Sequence, residues 1–204
     1  MSEPLSLGFR LVVKLVRRLF PNVPRMTTDQ LNEIMRRTSS HGEAETPGEN
    51  LVLLNGWEFV PNTNITSAHL NTKGLHLIKS GTQDVREEFE RDVSRIAGSI
   101  HVPPDTVRMS NVLTHVNQGE SSKVVCYCAV GYRASIMADR ILTELDKPDH
   151  KELRQLTRVY ILEGSIFKWG NELKPLIDAH GSKTVHVHGV AAAWKLLLWP
   201  ELRG

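Results

Sequence analysis

Short apolar runs alternate with stretches of helical period along most of this chain, and that alternation constrains its fold more than any other feature. The runs at 51–54, 99–102, 123–127 and 159–162 have the length and composition of buried strands. Between them, apolar residues recur at helical spacing: Leu31, Ile34 and Met35; Met109, Val112, Leu113 and Val116; Ala138, Ile141, Leu142 and Leu145. Ile166, Trp169 and Leu173 mark a further short helix, and Thr27 with Gln30 forms a capping box that opens the first. Strands alternating with helices predict a parallel sheet covered by helices on both faces. At 204 residues the chain suits one domain with a sizeable core.

The formal net charge of +2 is too small to imply a nucleic-acid partner. The charge is unevenly placed. Residues 1–25 carry Arg10, Lys14, Arg17, Arg18 and Arg25 against Glu3, so this segment is +4 and the remainder −2. Residues 5–20 form an amphipathic helix, with Arg10, Lys14, Arg17 and Arg18 on one face and Phe9, Val12, Val13, Val16 and Phe20 on the other; Pro21 and Pro24 end it. Three readings stay open for it: a mitochondrial targeting segment, a helix on a membrane surface, or a helix packed on the domain. No apolar run is long enough to span a bilayer, so no integral membrane association is expected. Cys126 and Cys128 lie too close together to staple a fold, which favours a reducing compartment. The expected location is intracellular, cytoplasmic or mitochondrial.

The chemistry concentrates where an apolar strand runs into Cys128-Ala129-Val130-Gly131-Tyr132-Arg133 and a helix begins just after. Gly131 lets the loop curl. Backbone N–H groups of such a loop cradle an anion, the helix adds its positive end, and Arg133 adds a fixed charge. All three favour a thiolate at Cys128, and the thiolate is the nucleophile. Cys126, inside the strand, reads as an inert small hydrophobe.

A strand, then Cys-x-x-Gly-x-Arg-Ala-Ser, then a helix resembles the active-site loop of the rhodanese family. Asp84-Val85-Arg86-Glu87-Glu88-Phe89, Ile96-Ala97-Gly98-Ser99 with Pro103, and Leu162-Glu163-Gly164-Ser165 with Trp169 resemble three further landmarks of that family, in its order. The likeness runs over roughly residues 26–175. It implies a five-stranded parallel sheet flanked by helices. It also implies a sulfurtransferase that carries sulfane sulfur as a persulfide on Cys128, from thiosulfate or another persulfide donor, a protein included, to cyanide or a thiol. Carried over by position, Cys128 is the nucleophile and the backbone of Ala129, Val130, Gly131, Tyr132 and Arg133 binds substrate; Arg86 is a further candidate at the loop. No metal or cofactor is implied, and the spacing of His186 and His188 with the two cysteines matches no structural zinc site.

Ala97 stands where the family usually has Pro, and Ser165 where it usually has Gly; both are read as structural positions. Ala129 and Val130 suggest an apolar loop entrance. The resemblance improves if Leu54 is joined directly to Asp84, so residues 55–83 read as an insertion, or as a retained intron in the gene model. The expected organisation is a basic extension (1–25), the rhodanese-like domain (26–180) and a C-terminal tail helix (181–204). Two rivals follow. A phosphatase of related cradle has five residues between Cys and Arg, whereas four separate Cys128 from Arg133 and six separate Cys126 from it. A non-catalytic rhodanese module used for protein interaction usually loses the Cys, which is present here.

Overall fold

The computed structural model describes residues 6–40, 50–52, 81–104, 106, 108–114, 116 and 121–204. The elements, in chain order, are α1 (Leu7–Leu19), β1 (Arg25–Met26), α2 (Thr28–Ser40), β2 (Asn50–Val52), β3 (Gly81–Asp84), α3 (Glu88–Val93), β4 (Ile100–His101), α4 (Met109–Leu113), β5 (Ser122–Tyr127), α5 (Tyr132–Leu145), α6 (Lys151–Leu156), β6 (Thr157–Leu162), α7 (Ser165–Asn171), β7 (Leu176–Ile177), β8 (Lys183–Thr184) and α8 (Ala192–Lys195). The expected α/β architecture is present. The main sheet runs β1-β6-β5-β3-β4, with β2 also paired to β5, and all these pairs are parallel.

Among the described residues the sheet has six strands where five were expected. The sixth arises because β2 and β3 both pair with β5, their registers meeting at Val124, which is paired with Val52 and with Gly81. Leu51 pairs with Lys123 and Val52 with Val124, while Gln83 pairs with Cys126 and Asp84 with Tyr127. Of the expected insertion 55–83, the last three residues belong to β3; the rest lies outside the described residues.

Strand β5 is central and apolar, as a strand covered on both faces must be. Its alternation divides the core. Val124 and Cys126 face one cluster with Met137, Ile141 and Leu145 of α5, joined by Val159 and Ile161 of β6. Val125 and Tyr127 face the other, with Phe9 of α1, Leu31 of α2, and Ile166, Phe167 and Trp169 of α7. The capping box is reciprocal: Thr27 N–H donates to Gln30 Oε1 (2.9 Å) and Gln30 N–H to Thr27 Oγ1 (3.1 Å).

Two expectations fail here. Leu173 is not part of the helix it was read to mark: α7 ends at Asn171, and Leu173, exposed, takes a left-handed φ of 54° that turns the chain away. Residues 181–204 do not form a tail helix. They contain β8, the four-residue α8 and a 3-10 turn at Pro200–Leu202, with Val190 at φ 61° breaking any continuous helix. The buried Val187, Leu198 and Leu202 tie this segment to the α7 side of the core.

Candidate active site

Cys128 follows the last residue of β5 at the carboxyl end of the sheet. Strand β6, reached next, lies on one side of β5, while β3 and β4 lie on the other. That reversal of strand order is where open α/β sheets form their crevices. Gly131 ends the loop at φ 111° as the N-cap of α5. A side chain there would meet Val16 and Ser165 only at ordinary distances of 3.6 and 3.7 Å. It is therefore the backbone angle, not space, that calls for glycine.

The loop closes on its own sulfur, with Gly131 N–H donating to Cys128 Sγ at 3.1 Å. Two of its carbonyls are bonded by α7. Ile166 N–H donates to the Cys128 carbonyl and Phe167 N–H to the Ala129 carbonyl, each at 3.1 Å. The first turn of α7 thus satisfies these two acceptors, while the Gly131 N–H points to the thiol. Ser135 secures the start of α5, donating to the Gly131 carbonyl from both N (2.9 Å) and Oγ (2.8 Å).

Ser165 does more than its sequence position indicated. Its Oγ accepts the Cys128 N–H (3.2 Å) and donates to the Leu162 carbonyl (3.3 Å). It does so from φ 52°, a left-handed angle that non-glycine residues seldom adopt. The signal was a hydroxyl in place of an expected glycine, but only the packing of α7 on the loop shows what that hydroxyl reaches.

Arg133 makes two hydrogen bonds of 2.8 Å to the carboxylate of Glu90, which is 1% exposed. Glu90 also accepts Glu87 N–H (2.9 Å), completing a capping box on α3. Burial works against the Arg133 charge. The Glu90 hydrogen bonds and the nearby Cys128 outweigh it and hold the guanidinium above its ordinary range. Glu90 was not among the sequence candidates; a third glutamate, two residues beyond Glu88, was the available sign.

Arg86 is buried and its donors go elsewhere than the sulfur. Nε and Nη2 donate to Asp84 (2.7 and 2.6 Å), Nη1 to the Glu90 carbonyl (3.2 Å) and Nη2 to the Ser94 carbonyl (2.5 Å). Its pKa is raised: burial opposes the charge, and Asp84 more than restores it. Asp84 also accepts the Tyr127 hydroxyl (2.8 Å), which burial keeps protonated. The Asp84–Glu90 segment therefore braces the loop at both ends, through Tyr127 before Cys128 and through Arg133 at its close.

Helix α1 covers this loop. Val16 lies over Gly131, and the rings of Phe20 and Tyr132 meet edge to face at 5.6 Å. Cys128 is 1% exposed, and Ala129 and Val130 are buried in the cluster with Phe9 rather than lining an open entrance. Tyr132 is half exposed. Burial raises the pKa of the Cys126 thiol, and the nearby Cys128 adds to this, as expected for an inert strand cysteine.

Fold and site together define a class: an α/β domain that presents a cysteine on a curled, arginine-closed loop at the end of its central parallel strand. The chain belongs to the rhodanese-like domain family, whose model matches residues 67–172. Among solved structures it is similar to a thiosulfate sulfurtransferase from Pseudomonas aeruginosa, at 13% identity and a TM-score of 0.50, covering 96% of this chain and 27% of that one. It is also similar to a rhodanese-related protein from Thermoplasma volcanium, with 16% identity, a TM-score of 0.41, and 76% and 97% coverage. A protein of unknown function from Rhodopseudomonas palustris, described as a possible tyrosine phosphatase, shows 16% identity, a TM-score of 0.43, and 86% and 98% coverage. At these identities the likeness is one of fold alone. No curated protein matches the sequence.

Proposed function

We propose that this protein is a sulfurtransferase that carries sulfane sulfur as a persulfide on Cys128. The observation that carries this reading is the Gly131 N–H aimed at Cys128 Sγ at 3.1 Å, in a loop whose Cys128 and Ala129 carbonyls are bonded by α7. A donor placed in advance on a sulfur stabilises its anion and that of a persulfide without reorganisation. With thiosulfate as donor, the Cys128 thiolate attacks the outer sulfur. A new S–S bond forms, the S–S bond of thiosulfate breaks, and sulfite leaves with the electron pair. Cyanide or a thiolate then attacks the outer sulfur of the persulfide and releases the Cys128 thiolate. Another persulfide, including one on a protein, serves as donor by the same exchange.

Intact mass measured after incubation with thiosulfate tests this reading. The wild type should gain one sulfur, lose it to cyanide, and show no gain when Cys128 is replaced by Ala. A folded wild type that gains no sulfur from thiosulfate or a low-molecular-weight persulfide overturns it. One observation favours a second reading, a non-catalytic interaction module: Cys128 lies beneath α1 and is almost fully buried. The same mass measurement decides between the two.

A further inference from the structure

Helix α1 has a second face that the domain does not use. Phe9 and Val16 are buried, but Leu7, Leu11, Leu15 and Leu19 are 73, 57, 57 and 54% exposed. Their four-residue spacing makes them a continuous row along the helix surface. Arg10, Lys14 and Arg18, also exposed, each follow a leucine of this row by three residues, so a basic row runs beside the apolar one. Arg17 stands apart, paired with Glu163 of the domain. The C-terminal segment approaches the start of this helix, with Leu197 against Gly8, and it exposes Leu196 and Trp194.

Four leucines in one row exceed the scattered surface apolar residues that need no explanation. No described helix is long and apolar enough to cross a membrane, and α1 has 13 residues. The charge beside the row selects the partner. A surface that is apolar below and negatively charged at its rim satisfies the leucines and the basic side chains together, and an indole at its edge sits at headgroup depth.

We propose that α1 docks this protein on an anionic lipid surface, with Leu7, Leu11, Leu15 and Leu19 entering the boundary between headgroups and acyl chains and Arg10, Lys14 and Arg18 on the lipid phosphates. The buried side of α1 stays on the domain, so the docked protein is peripheral. This inference does not depend on the sulfur chemistry.

The test is co-sedimentation of the full-length protein with phosphatidylcholine–phosphatidylglycerol vesicles and with pure phosphatidylcholine vesicles. Two variants accompany it, Leu11→Ser with Leu15→Ser, and Arg10→Glu with Lys14→Glu and Arg18→Glu. All five positions are exposed, so the variants should keep the wild-type circular dichroism. The wild type should bind the anionic vesicles at least about tenfold more strongly than the neutral ones, and each variant should lose at least about tenfold in partitioning. Absence of binding to the anionic vesicles overturns the proposal and leaves an acidic protein surface as the remaining partner for this face. Binding that survives the leucine substitutions overturns it as well, since attraction of charge alone would then account for it.

Discussion

Glu90 and Arg133 face each other through two parallel hydrogen bonds of 2.8 Å, although one carboxylate is fully buried and the guanidinium is 26% exposed. The pair joins α3 to the residue that closes the Cys128 loop. Its two members are not equivalent, because removing the partly exposed one strands a buried charge while removing the buried one leaves a cation that water can reach.

Arg133→Met should therefore destabilise the protein by about 3–5 kcal/mol, and Glu90→Gln by about 1–3 kcal/mol. Urea unfolding of the two variants measures the difference. An equal loss, or a larger one for Glu90→Gln, would show that the buried carboxylate does not depend on Arg133.

Ser165 combines a strained backbone with a hydrogen bond from the N–H of Cys128. Ser165→Ala keeps the strain and leaves the Cys128 N–H without its acceptor, at a cost of about 1–3 kcal/mol. Ser165→Gly loses the same hydrogen bond but relieves the φ of 52°, and should recover about 1 kcal/mol. If the hydroxyl positions the loop, both variants should slow persulfide formation by a similar factor while differing in stability. A Gly variant that reacts at the wild-type rate would remove Ser165 from the positioning of Cys128.

His101 donates from Nε2 to the Arg86 carbonyl at 2.7 Å, and burial is the main reason its pKa lies below the ordinary 6.5. The unfolded chain takes up this proton first as pH falls. The stabilisation linked to neutral His101 is thus complete above pH 6.5 and is lost as pH drops through the folded-state value. Thermal unfolding between pH 7.5 and 5, with His101→Gln beside the wild type, should show a shallower acid loss in the variant. Parallel profiles would assign the acid sensitivity to other groups.

Residues 52 and 84 pair with residues 124 and 127 of β5, and the two positions between them are paired by Thr82 and Gln83. Leu53 and Leu54 would take those two positions if Leu54 were joined to Asp84. Deleting residues 55–83 should give a soluble, cooperatively folded protein with one continuous strand here and a gain of up to about 3 kcal/mol from the closure entropy removed. A deleted chain that fails to fold would show that the segment is part of the domain.

The strand and helix pattern was legible because buried parallel strands and amphipathic helices leave distinct periods in sequence. The run at 123–127, the spacing in 138–145 and the Thr27–Gln30 box all appear as read. Leu173 and the 181–204 tail misled because their backbone turns, at Leu173 and Val190, use left-handed angles on residue types that do not advertise them.

At the site, the sequence by itself determined which cysteine stands on a curled loop and which lies in a strand, since a local glycine and an adjacent helix start are short-range signals. The partners came from elsewhere in the chain. Arg86 turned to Asp84 and two carbonyls, Arg133 found Glu90, Ser165 reached the Cys128 N–H, and α1 covered the loop with one face while exposing a leucine row on the other. Apart from Arg86, whose partners lie two to eight residues away, those outcomes depend on contacts between residues tens of positions apart. Only the packing of helices on the sheet decides them, because a buried charge or hydroxyl takes whichever partner the closed core brings within hydrogen-bonding distance.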